Sequence, residues 1–146
     1  MSDAIKVRCV RDEITPDLAR LARQLSGPGR RAVLKLMGAE ALSITQNAFH
    51  NASLRPISWP PLKHPTGRKP LIKTGQLMHG IHISELTENH VKIAPSVPYA
   101  VFHQLGTRHI PPRPFFPFTA SGVLLPSAHQ RIEGVARAAI ERLLRR

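Results

Sequence analysis

Residues 30–50, RRAVLKLMGAEALSITQNAFH, decide the fold. Val33, Met37, Ala41, Ile44 and Ala48 recur at steps of three and four, which brings side chains to one face of an α-helix. Leu34, Leu42 and Phe49 widen that face. The spacing predicts one long helix over 30–50, with enough apolar surface to be the backbone of the core. Upstream, Thr15-Pro16 reads as an N-cap and first helical position. Leu18, Leu21, Ala22 and Leu25 then share one face of a short helix that Ser26-Gly27-Pro28-Gly29 ends. Earlier still, Ile5, Val7 and Cys9 alternate with Lys6 and Arg8, the pattern of a strand over 4–10.

Downstream, Ile81 and Ile83 alternate with His82 and Ser84, Leu86 following one step off that alternation, and Val91 and Ile93 alternate with His90 and Lys92. With Thr87-Glu88-Asn89 between them, the two runs predict a β-hairpin that Pro95 closes. A helical turn is expected from Tyr99 to Leu105, with Gly106 after it. The stretch 110–118 holds four prolines and must be largely extended. Pro126 opens a last helix, whose stripe is Ile132, Val135, Ala136, Ala139, Ile140 and Leu143; Glu133 and Arg137 are spaced to pair on its surface. The expected fold is α+β: a small antiparallel sheet packed against a long helix and a C-terminal helix.

The chain of 146 residues fits a single domain, 1–146. Its hydrophobic content of 42% suffices for a core, and an aromatic content of only 5% predicts that the core is mainly aliphatic. The single cysteine, Cys9, forbids an intrachain disulfide and fits a reducing compartment such as a bacterial cytoplasm. Residues 1–10 lack the apolar run of a signal peptide, and no stretch is apolar for long enough to cross a bilayer, so no membrane partner is expected.

The net charge is +12, and arginine (15) outnumbers lysine (6). Such a charge implies an anionic neighbour, whether nucleic acid, an acidic protein surface or a membrane, and charge alone does not choose among them. Much of it lies in a long basic loop, residues 51–75. There Pro56, Pro60, Pro61, Pro65 and Pro70 preclude a continuous helix, while Trp59, Leu62, Leu71 and Ile72 supply apolar anchors. A loop of this length inside a small domain is often functional, and contact with a neighbouring molecule is expected of it.

Catalysis finds little to work with. The aspartates are Asp3, Asp12 and Asp17, and the later carboxylates are Glu40, Glu85, Glu88, Glu133 and Glu141, too scattered for a two-metal nuclease. His79 and His82, read on one strand, would point to opposite faces, and no cysteine or aspartate accompanies them at ligand spacing. Cys9 reads as a small buried hydrophobe, no serine sits in a nucleophile-elbow motif, and no glycine-rich phosphate loop is present. The chain is therefore expected to be no enzyme and to use no cofactor or metal. Arg142, Arg145 and Arg146 could touch nucleic acid, but cations at a helix C-terminus also favour the helix dipole. No helix-turn-helix or zinc-finger pattern supports sequence-specific reading.

Four blocks carry a resemblance. Phe49 precedes, after a polar gap, Trp59-Pro60-Pro61-Leu62. Lys69-Pro70-Leu71-Ile72-Lys73-Thr74-Gly75-Gln76-Leu77 follows. Then come Tyr99-Ala100-Val101-Phe102-His103-Gln104-Leu105-Gly106 and Ile110-Pro111-Pro112-Arg113-Pro114-Phe115. In this order, over about residues 30–144, they resemble the phage virion morphogenesis family, which includes tail-completion proteins and relatives in Mu-like phages. The chain departs from that pattern at Arg55-Pro56-Ile57-Ser58, where a glycine is frequent, and at Leu105, where an aromatic is common.

The resemblance implies a structural protein of the virion, assembled in the bacterial host cytoplasm. It would act in tail completion or head–tail joining, as a subunit of a homo-oligomeric ring beside other tail or neck proteins, with non-specific DNA contact as a further expectation. The alternative is a basic DNA-binding accessory protein. Within the blocks, Thr74-Gly75 is expected to turn the chain, and Tyr99 and Phe102 to anchor a short helix in the core. His103 and Gln104 are expected to bond nearby backbone. Arg113, stiffened by Pro112 and Pro114, is expected to offer its guanidinium to a carboxylate such as Glu85, Glu88 or one on a neighbouring subunit. The competing reading is that these residues, with Phe115, simply hold the fold.

Overall fold

The computed structural model describes residues 16–62, 71 and 75–145; the expected strand over 4–10, the Thr15 cap and Thr74 lie outside them. Helix α1 (Pro16–Ala22) is followed by the long helix α2 (Gly27–Asn47). Helix α2 starts three residues before the expected point. Ser26 is its N-cap, with Oγ accepting from the Gly29 amide at 3.2 Å, and Pro28 lies in the first turn, where a missing N–H costs nothing. The Ser-Gly-Pro-Gly stretch thus separates the helices and also begins the second.

The apolar surface of α2 is wide because the helix is covered on two sides. Val33, Met37, Ala41 and Ile44 meet helix α5 (Pro126–Leu144) through Ala128, Ile132, Ala136, Ala139 and Ile140. Leu42 and Phe49 turn to a second cluster beside the hairpin. Each fully buried large side chain here contributes roughly 1.5–3 kcal/mol. Leu18, Leu21, Ala22 and Leu25 of the α1 segment join the α2–α5 cluster. On the surface of α5, Glu133 pairs with Arg137 at 3.7 Å, as its spacing predicts.

The sheet consists of β1 (Ile81–Leu86) and β2 (Val91–Pro95), antiparallel, and it packs on α2. A Cβ added to Gly38 would lie 2.6 Å from Val91 Cγ2 and 3.4 Å from Ile83 Cδ1, so a glycine allows helix and hairpin to approach this closely. The strand register slips between Ile83 and Glu85. This bulge leaves both Ser84 and Glu85 exposed and turns Leu86 inward again, which explains why the alternation read from the sequence stumbles there. The turn is held by Thr87, whose Oγ1 accepts from the Asn89 and His90 amides, each at 3.1 Å. Architecture and class are α+β, as expected: sheet, then α2, then α5.

Two expectations are corrected. His79 ends a short helix, α3 (Gln76–His79), and is not on the strand with His82. The core is also not uniformly aliphatic. Phe49, Phe115, Phe116 and Phe118 are all buried in one cluster with Leu77, Ile81 and Ala100. A low aromatic fraction says how many rings there are, not how they are distributed.

Candidate functional site

Most of the motif residues meet at one place, where the proline segment around Trp59 crosses the proline segment 110–118. Arg113 organises the crossing. Its Nε donates to the Pro60 carbonyl at 2.9 Å, and Nη2 donates to the Pro61 carbonyl at 2.9 Å. Trp59 answers from the other side, its Nε1 donating to the Pro114 carbonyl at 2.8 Å. Prolines suit such a clasp, because they fix φ and bring no backbone N–H of their own that must be satisfied there. Arg113 is only 7% exposed, and burial lowers its pKa from the usual value. The expectation of a carboxylate partner is therefore corrected: the guanidinium binds backbone carbonyls. Glu85 pairs with Lys92 and His90, and Glu88 with Arg30. His90 and Lys92 hold the Glu85 carboxyl below its ordinary pKa.

Trp59 is turned inward. Its ring stands edge-on to Phe49, with centroids 5.8 Å apart, and the Arg55 guanidinium lies over it at 3.6 Å. Phe49 also packs on Phe115 at 5.2 Å, and Phe115 on Phe116 at 4.8 Å. Pro114 is buried, Leu62 is half-buried, and Leu71 is half-buried against the same aromatic cluster with φ at 67°. Gly75 has φ 75° and precedes α3, so the expected turn is present at that residue, and Leu77 is buried next to it.

Helix α4 (Ala100–Leu105) joins the clasp through one polar side chain. Gln104, 6% exposed, accepts with Oε1 from the amides of Phe115 at 3.0 Å and Phe116 at 3.1 Å. The helix then ends at Gly106, with φ 76°. A Cβ there would come within 2.9 Å of Pro112 Cδ and N, so both its dihedral and its surroundings require glycine. The Arg113 amide bonds the His103 carbonyl at 2.7 Å. Gln104 thus behaves as expected. The His103 side chain does not: its Nδ1 is buried without a partner, and burial, then the Arg113 charge, depress its pKa.

Tyr99 and Phe102 are also placed otherwise than expected. They are 38% and 47% exposed, and the residues α4 buries are Ala100 and Gln104. Of the predicted site residues, the structure gathers Trp59, Leu71, Leu77, Gln104, Gly106, Pro112, Arg113, Pro114 and Phe115 into or against one clasp, while Tyr99 faces out.

Sequence reasoning missed Arg55. Its Nε donates to the Ala48 carbonyl at 2.6 Å and Nη2 to the Phe49 carbonyl at 3.2 Å, closing the end of α2 while the same group covers Trp59. It missed Phe116 and Phe118 as well, although an aromatic run among prolines was a usable signal. Among the described residues, no group of three or more His, Cys, Asp or Glu could hold a metal ion, and no helix is long and apolar enough to cross a membrane. Compared with known proteins, the chain matches no protein-family model, no curated protein and no solved structure.

Proposed function

We propose that this chain is a structural protein of a tailed bacteriophage that acts in virion assembly, at tail completion or head–tail joining, as a ring subunit contacting other tail or neck proteins. The ordered resemblance of its four sequence blocks to the phage virion morphogenesis family carries this reading. The clasp supports it: blocks more than fifty residues apart are bonded to each other, Arg113 to Pro60 and Pro61 and Trp59 to Pro114. Residues so engaged serve to hold a shape, and a shape is what an assembly part supplies. The protein is in this reading no enzyme, and it resides in the virion after assembly in the host cytoplasm.

Electron microscopy of particles produced without the protein tests the reading. Unjoined heads and tails, or tails of abnormal length, are expected, with rescue by the wild-type chain. Normal infectious particles would overturn it. The second reading, a DNA-binding accessory protein, draws on the +12 charge and on Arg142 and Arg145, both exposed at the end of α5. It predicts duplex binding that weakens steeply with salt, as phosphate-dominated contacts do.

A further inference from the structure

Helix α4 has two faces that do different work. Its buried side, Ala100 and Gln104, belongs to the clasp. Its other side exposes Tyr99, Phe102 and Leu105, each three residues from the next, at 38%, 47% and 48%. Three large side chains exposed on and just before one short helix leave an apolar ridge in water, although the Tyr99 ring also meets His103 edge-on, and exposed apolar patches mark interfaces. We infer that this ridge docks on a different protein that offers an apolar face edged with carboxylates.

The charge around the ridge selects that partner over a second copy of this chain. Immediately after α4 come Arg108 and His109, both exposed. The segments bonded to α4, residues 97–99 and 106–116, contain no aspartate or glutamate. Elsewhere, Glu40 is engaged by Arg131, Glu85 by Lys92 and His90, Glu88 by Arg30 and Glu133 by Arg137. Two copies meeting ridge to ridge would bring two such basic edges to one interface, and each copy carries a net +12. An acidic rim on another protein satisfies the same cations and lets the rings be covered. This inference names a kind of partner for the assembly role proposed above and rests on that reading only for its setting; the surface chemistry can be tested without any phage.

The test uses the full chain and a fluorescein-labelled amphipathic helical peptide with leucine and phenylalanine on one face and glutamate on both flanks. Fluorescence anisotropy should show binding that Phe102→Ser weakens about tenfold or more, as loss of a central aromatic anchor does. Arg108→Ala should weaken it by a smaller factor and flatten its salt dependence. A lysine-flanked version of the peptide should not bind. Both variants should keep the wild-type melting temperature, since both positions are exposed; Tyr99→Ser serves as the second variant if Phe102→Ser unfolds. Three results would each overturn the inference: no binding of the glutamate-flanked peptide, equal binding of the lysine-flanked one, or sedimentation showing a dimer of the chain that Phe102→Ser dissolves. Failure of the assembly reading would appear separately, as normal particles made without the protein.

Discussion

Where α2 meets α5, the contact is made by Val33, Met37 and Ile44 against Ile132, Ala136 and Ile140, and no buried side-chain hydrogen bond joins the two stripes among the described residues. Where the two proline segments cross, the contact is made by a guanidinium, an indole N–H and an amide oxygen, each aimed at backbone. The helical layer can lose a methyl group and lose a proportionate amount of stability. The clasp behaves differently, because deleting one of its polar groups strands backbone partners, and those that are fully buried cannot reach water.

The difference is sharpest at Gln104. Replacement by leucine keeps the volume but leaves the buried amides of Phe115 and Phe116 without an acceptor. Each such amide costs about 1–3 kcal/mol, so a loss of roughly 4 kcal/mol in urea denaturation is expected. A loss below about 1 kcal/mol would mean that packing holds the clasp too, and the contrast between the two regions would vanish.

Arg113→Ala should cost about 2–3 kcal/mol, less than Gln104→Leu, because the exposed Pro61 can admit water to a vacated carbonyl. Arg113→Lys should recover less than half of that loss, since one ammonium does not reproduce the fork that spans two carbonyls. Full recovery by lysine would reduce the clasp to a matter of charge.

Two glycines probe the helical half. Gly38→Ala gains about 1 kcal/mol of helix propensity but drives a methyl into Val91, a stiff β-branched side chain on a paired strand, at an overpacking cost of about 1–3 kcal/mol. Net destabilisation of up to about 2 kcal/mol is expected by the same titration. Gly134, on the exposed side of α5, has nothing within 4 Å of an added Cβ, and its change to alanine should stabilise by up to about 1 kcal/mol. If both substitutions stabilise, α2 does not press on the hairpin as closely as its geometry indicates.

The same contrast explains what the sequence discloses. Helices α2 and α5 are local: their stripes repeat over five turns or so, and repetition makes a face legible. The hairpin was legible for the same reason, down to the hesitation at Leu86 that the bulge resolves. The clasp is non-local. Nothing in Pro112-Arg113-Pro114 indicates that the arginine's partners are two carbonyls 53 and 52 residues away, and carbonyls have no sequence signature. Helix α4 fails for want of length. Six residues give too few turns to define a face, so aromatic character alone suggested that Tyr99 and Phe102 point inward. The blocks named residues of which most meet at the clasp; whether each bonds inward or faces outward had to come from the structure.

His103 marks the edge between these two behaviours, and there the smallest effect is expected. Its ring meets Tyr99 edge-on at 5.9 Å, and its Nδ1 is buried without a partner. Burial, and secondly the charge of Arg113, hold its pKa below the ordinary imidazole value near ~6.5. The sign follows by linkage. The unfolded chain takes up this proton at a higher pH than the folded one, so the folded state loses stability as pH falls below about 6.5 and stops losing it once the folded pKa is passed. Glu85, whose pKa is lowered, acts in the same direction but at carboxylate pH, well below this window. His103→Phe keeps a ring against Tyr99 and removes both the unpaired nitrogen and the titration. Urea midpoints at pH 7.5 should be unchanged or slightly higher for the variant, because an apolar group in that place strands nothing. Between pH 7.5 and 5.5 the wild type should lose more stability than the variant. Equal losses would show that His103 is as hydrated in the folded chain as in the unfolded one, and that the polar character of the clasp ends at Gln104.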